Sequence, residues 1–206
     1  MTVVKLDSQL SDDILEDVLS EYGRGNPVVV PTDTIYGISA PISNPRTVMA
    51  IFERKNRPID RPVPIAVGSL PMMDDITVIQ RWQKDTIREN LPGPVTLVLD
   101  ARGITSDLIS RDGTVAVRVP RHRIFLPITL RVGPLALTSA NRHGQSTPLT
   151  AREVDSTFDG ELLVLEDDIA IRGEPSVIVD LTSGEPVVLR DGNIYNAVFM
   201  REEHER

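Results

Sequence analysis

The chain has 206 residues, no cysteine, and 30 acidic against 22 basic side chains, a net charge of −8. Without cysteine there is no disulfide framework, thiol nucleophile or thiolate metal site, and His122, His143 and His204 share no ligand spacing, which speaks against a zinc centre. The acidic balance excludes bulk attraction to nucleic acid, so a polyanion would need a local basic patch.

Apolar residues make up 40% and charged residues 25%, the composition of a globular domain. The apolar runs fall far short of the ~20 residues of a membrane helix, and the start at Met1 carries no apolar leader. The expectation is one cytoplasmic domain over 1–206, with a core from about 10 to 195 and a charged tail from 196 to 206.

In chain order, Ser11 to Tyr22 reads as an amphipathic helix. Ile14, Leu15, Val18, Leu19 and Tyr22 share one face, Ser11 is the N-cap, and Leu10 staples onto Leu15. Gly23 and Gly25 stop it. Pro27 to Pro31 is a short β-branched strand. A second helix starts at Asn44 with Pro45 in its first turn and ends near Asn56, since Pro58 disfavours helix at Arg57. Pro64–Val67 reads as a strand and Val78–Glu89 as a helix. Further strands are expected at Val95–Leu99, Thr114–Val119, Pro134–Thr138, Leu162–Leu165, Ser176–Asp180 and Pro186–Leu189, with a helix over Ala151–Phe158. Strands outnumber helices without strict alternation. That argues for a twisted, mixed β-sheet with helices packed on it, an α/β fold of α+β type, rather than a doubly wound one.

Polar residues stand beside these strands. Pro31–Gly37 brings hydroxyls and a carboxylate to a strand end, where they suit ligand recognition or simply a turn bonded to its own backbone. Four cations fall between Arg54 and Arg61. A helix C-terminus accounts for one or two, and Arg with Lys suits a phosphate or carboxylate. Arg118 lies inside a strand pattern and so needs a partner, whereas Arg121, His122 and Arg123 read as a solvated loop. Ser139 and Asn141 can present a hydroxyl and an amide together, and Ser176 and Arg190 lie at strand ends. No phosphate loop, dinucleotide fingerprint or G-x-S-x-G elbow is present, so any reaction would rest on positioning and charge stabilisation.

Seven short segments occur in order: Pro31–Gly37, Lys55–Pro58, Pro92–Thr96, Val117–Pro120, Ser139–Asn141, Ser176–Asp180 and Leu189–Gly192. Together they resemble the YrdC-like family of threonylcarbamoyl-adenylate synthases, in its short, single-domain form. The resemblance implies a twisted mixed sheet around a large concave cavity. It implies that L-threonine, bicarbonate and ATP, with Mg2+ accompanying the ATP, give threonylcarbamoyl-adenylate and pyrophosphate. A separate transferase complex would then modify adenosine 37 of tRNA. By position, Thr34, Arg118, Ser139 and Ser176 match the threonine site. Arg57, Arg61, Thr114, Asn141 and Arg190 match the surroundings of the nucleotide, and Lys55 the bicarbonate and phosphate region, with Lys55 and Arg57 as the catalytic cations. Arg61, Ala66, Val177 and His143 depart from residues common in the family. A competing reading is a module that binds double-stranded RNA or tRNA through the same basic concavity.

Overall fold

The computed structural model describes residues 3–7, 10–167 and 173–191. The expected tail and Gly192 lie outside them. Helix α1 (Asp12–Arg24) begins where Ser11 Oγ accepts from Ile14 N at 3.3 Å, with Asp12 and Asp13 favourable in its first turn. It runs through Gly23 and ends at Gly25, whose φ of 87° supplies the left-handed cap. Helix α2 (Pro45–Lys55) starts as expected, with Asn44 Oδ1 accepting from Thr47 N, and stops at Asn56 in the left-handed region.

The strands are β1 (Val3–Lys5), β2 (Val28–Val30), β3 (Gly37–Pro41), β4 (Ile65–Ala66), β5 (Thr77–Val78), β6 (Val95–Ala101), β7 (Thr114–Arg118), β8 (Leu135–Ser139), β9 (Leu163–Glu166), β10 (Val177–Asp180) and β11 (Val187–Arg190). They form a sheet in the order β1-β9-β2-β3-β8-β4-β7-β6-β10-β11, with β5 beside β6. Pairings are parallel for β1/β9, β2/β9, β4/β7 and β6/β10 and antiparallel for the others. The expected mixed sheet is therefore found.

The remaining helices are α3 (Leu70–Ile76), α4 (Gln83–Asn90), α5 (Phe125–Val132) and α6 (Ala151–Thr157). The helix expected over Val78–Glu89 forms only in its second half. Thr77 and Val78 pair instead with Ala101 and Asp100. Gln83 fixes the boundary, because its Oε1 accepts from Gln80 N and its Nε2 donates to Leu181 O, both at 2.7 Å.

Alternation along the strands sets which side chains meet which layer. On one face α2, α3, α4 and α6 cover a core that includes Val29, Leu97, Val117 and Val179. On the other, α1 and α5 cover Val28, Val30, Leu135 and Leu165. Val28, Val29 and Val30 are thus buried on both sides, which explains an uninterrupted β-branched run. The α1/α5 layer leaves part of its face open, and a cavity lies there.

Candidate functional site

A cavity of about 590 Å³ occupies the uncovered face. On β6, Val95, Leu97 and Leu99 enter the core while Thr96 and Val98 face the cavity. On β7, Val115 and Val117 enter the core while Thr114, Ala116 and Arg118 face the cavity, and on β10 Val177 and Val179 oppose Ile178 in the same way. The period-two pattern that builds the core therefore also lines the cavity.

Of the ten residues singled out from sequence, Thr34, Arg57, Thr114, Arg118, Ser139, Ser176 and Arg190 line this cavity. Lys55, Arg61 and Asn141 do not line it among the described residues. A second recess of about 470 Å³, beside α3, α4 and Arg102, holds none of the ten.

Arg118 is buried, and each of its three nitrogens is engaged. Nε donates to Gly93 O at 2.9 Å, Nη1 to Thr34 Oγ1 at 2.8 Å, and Nη2 to Asp33 Oδ1 at 2.6 Å. Burial lowers its pKa and the Asp33 carboxylate opposes that shift. This is the partner that a charge inside a strand requires. Within Pro31–Gly37 both sequence readings hold, for different residues. Thr32 serves the turn: its Oγ1 accepts from Thr34 N and Ile35 N and donates to Ile35 O at 2.7 Å.

The Thr32 hydroxyl has one proton, and Ile35 O takes it. With its proton on Ile35 O and its two lone pairs on Thr34 N and Ile35 N, Thr32 Oγ1 is saturated, so its 2.9 Å approach to Thr34 Oγ1 fixes no donor direction. Thr34 accepts from Arg118. It keeps one lone pair and its own proton for a ligand.

Across the cavity, Thr96 Oγ1 and Ser176 Oγ are 2.8 Å apart. Arg190 Nε and Nη2 donate to Ser176 O at 3.0 and 2.8 Å, and burial lowers the Arg190 pKa. Arg57 donates to Arg61 O and Pro62 O at 2.9 and 3.0 Å, and burial followed by the charge of Arg61 lowers its pKa. The four cations of the Arg54–Arg61 segment do not converge: Arg54 pairs with Glu161, Arg61 is exposed, and Lys55 is turned away behind Ser139.

Sequence reasoning missed Thr96, Arg111 and Thr147 as lining residues. Thr96 was visible as an alternate residue of a quoted segment. Arg111, which donates to Asp60 O at 2.9 Å, and Thr147 had no local signal. The expected solvated loop at Arg121–Arg123 is corrected for His122. Its ring is buried, with Nε2 3.2 Å from Asp167 Oδ2, and Arg123 Nη1 lies 2.6 Å from the same oxygen. The side chain of Ala66 lines the cavity, whereas Val177, which departs from a common family hydroxyl, packs into the core and leaves the cavity wall unchanged.

Carboxylates are absent among the described lining residues, while Arg57, Arg111, Arg118 and Arg190 are present. The described residues also contain no cluster of three or more His, Cys, Asp or Glu able to hold a metal ion. A divalent cation would have to arrive on an anionic ligand's own oxygens. No helix among the described residues is long and apolar enough to cross a membrane.

Comparison with known proteins gives a consistent result. The Sua5_yciO_yrdC family model, described as telomere recombination, matches residues 21–192. A threonylcarbamoyl-AMP synthase of Pyrococcus abyssi is 35% identical over 175 residues, covering 83% of this chain and 52% of that protein, so the chain spans about half of that relative's length. A putative threonylcarbamoyl-AMP synthase of Mycobacterium tuberculosis is 35% identical over 173 residues, covering 82% and 80%. The crystal structure of P. abyssi Sua5 complexed with L-threonine superposes with a TM-score of 0.83 at 28% identity, covering 97% of this chain and 61% of that one.

Proposed function

Because the chain belongs to the Sua5/YciO/YrdC family, we propose that it condenses L-threonine, bicarbonate and ATP into threonylcarbamoyl-adenylate, with release of pyrophosphate and water. The observation that carries this reading is the cavity itself. About 590 Å³ lies within the range of a small-molecule site, and its wall combines four guanidinium groups with hydroxyls and no described carboxylate.

The threonine amine attacks the bicarbonate carbon, a C–O bond breaks and water leaves with an amine proton, which gives the carbamate. A carbamate oxygen then attacks the α-phosphorus of ATP in line with the departing pyrophosphate. Charge accumulates on phosphate oxygens, so fixed cations in a water-poor recess lower the barrier by standing ready. Thr34, Arg118, Ser139 and Ser176 orient the amino acid. The Thr34 hydroxyl suits the β-hydroxyl or amine of threonine. Arg57, Thr114 and Arg190 hold the nucleotide. Arg61 and Asn141 act from beside the cavity, Asn141 by accepting from Ser139 Oγ at 2.5 Å. Mg2+ rides on the ATP phosphates and supplies charge neutralisation there. The product passes, in the cytoplasm, to a transferase complex acting on tRNA.

The test is a coupled pyrophosphate assay in which threonine and bicarbonate are each left out. Release that requires both supports the reading. Release independent of threonine, or none at all, overturns it. Arg57→Ala is expected to lower the rate by about 10²-fold, the scale for one preorganised charge donor.

A further inference from the structure

Two hydroxyls meet on the cavity wall where β10 begins. Thr96, on β6, is 3% exposed, Ser176, just before β10, is 7% exposed, and both line the cavity. Their oxygens stand 2.8 Å apart. From the other side Arg190, on β11, closes its fork on Ser176: Nε and Nη2 donate to Ser176 O at 3.0 and 2.8 Å, and Nη2 also reaches Ser176 Oγ at 3.3 Å. Side chains of the two flanking strands thus converge on one serine.

The protons of this cluster can be counted. A hydroxyl carries one proton and two lone pairs, and a guanidinium only donates. The bond between the two hydroxyls uses one of their two protons, whichever residue gives it. Arg190 cannot take the other, and neither hydroxyl has a further acceptor among the described residues. If Thr96 gives its proton, Ser176 Oγ has accepted from Thr96 and Arg190, and the Ser176 proton is left over. If Ser176 gives its proton, that of Thr96 is left over. In either direction the pair keeps one O–H for the cavity. The guanidinium beside it favours an acceptor that carries negative charge.

The pair is not needed to join the strands. Val95–Val98 and Val177–Asp180 already pair in register, and Val177 N donates to Pro94 O at 3.0 Å. A valine at position 96 would suit the strand as well as threonine does. What the Thr96 hydroxyl adds is a fixed direction for Ser176 and a donor to spare.

We infer that Thr96 is a further substrate-positioning residue, which with Ser176 forms a two-hydroxyl unit that delivers one O–H to a carboxylate oxygen of the amino acid. The identity of the ligand rests on the synthase reading, which puts Ser176 beside threonine. The proton count rests on the geometry alone.

Two measurements test it. The first is calorimetric titration with L-threonine and, separately, with ATP. Thr96→Val is expected to raise the Kd for threonine about tenfold, the scale of a hydrogen bond to a charged group, and to leave the Kd for ATP at the wild-type value. Thr96→Ser keeps the hydroxyl and should bind threonine as the wild type does. An unchanged threonine Kd in Thr96→Val, an equal loss for ATP, or no rescue by serine overturns the inference.

The second uses the wild type and so does not depend on a variant folding. In 13C-labelled protein, hydroxyl protons are followed through Thr96 Cβ and Ser176 Cβ. One is expected to be protected from exchange without ligand, and both once L-threonine saturates the site, while ATP alone protects no second one. A single protected proton at saturating threonine, or two with ATP alone, overturns the inference. Both measurements read binding without turnover. A wild type that binds threonine in this way and releases no pyrophosphate therefore sinks the synthase reading alone, and one that turns over without the second proton sinks this inference alone.

Discussion

Asp33 Oδ1 accepts from Arg118 Nη2 at 2.6 Å, and the two side chains are 13% and 8% exposed, so a nearly dry ion pair stands at the cavity wall. The same carboxylate oxygen accepts from Arg121 N at 3.1 Å, which ties the end of β7 to the Pro31–Gly37 turn. Removing one partner of such a pair strands a buried charge. Asp33→Ala is expected to cost about 3–5 kcal/mol in urea unfolding, and the double variant Asp33→Leu/Arg118→Met much less. A single-variant cost no larger than that of a surface substitution would show the pair to be solvated.

The Thr34 hydroxyl has its own consequence. Thr34→Val keeps the shape of the side chain and deletes the hydroxyl that faces the cavity. Threonine KM should rise about tenfold, the scale of one neutral hydrogen bond, while ATP affinity stays near that of the wild type. Equal losses for both substrates would contradict the assignment of Thr34 to the amino acid.

Acid stability should depend on His122. Burial is the largest influence on it and lowers its pKa below the ordinary 6.5, with Arg123 acting in the same direction and Asp167 and Asp33 opposing. The folded state then binds this proton less readily than the unfolded chain. Stability is complete above pH ~6.5 and declines as the pH falls from there toward the folded-state value. Thermal unfolding between pH 8 and 5 should show the decline, and His122→Gln should flatten it. A Tm that rises on acidification would reverse the sign.

Gly68 lies against α5, where an added Cβ would stand 2.7 Å from Leu126 Cα. Backbone cannot step aside as a flexible side chain does. Gly68→Ala is therefore expected to destabilise the fold by about 1–3 kcal/mol, read as a lower urea midpoint. Its catalytic constants, measured on the folded fraction, should stay close to wild type, because Gly68 does not line the cavity among the described residues.

How far the sequence revealed this arrangement depends on the signal each element carries. Helix α1 was legible because Ser11, the apolar face and Gly25 agree with one another. Strands β6 and β7 were legible from alternation. Strand β3 was not, since Gly37, Ser39, Ala40 and Pro41 are poor strand formers. It holds its place through pairing with β2 and β8. Helix α5 was hidden by Pro127, which is tolerated because it falls in the first turn, where its missing N–H has no helical partner. Thr34, Arg118 and Ser176 were recognised as pieces of short segments. That Arg118 meets Thr34, or Thr96 meets Ser176, is set by contacts across 84 and 80 residues of chain, which no local pattern encodes.

The strand order also joins strands far apart in sequence: β3 lies against β8, and β6 against β10. Opposite banks of the recess are consequently completed by β3 and β8 at one side and by β10 and β11 at the other. No contiguous fragment shorter than nearly the whole described chain can assemble a half-working pocket. Ligand occupancy should therefore report on global closure of the sheet, appearing late in refolding and vanishing together with the final cooperative unit rather than before it.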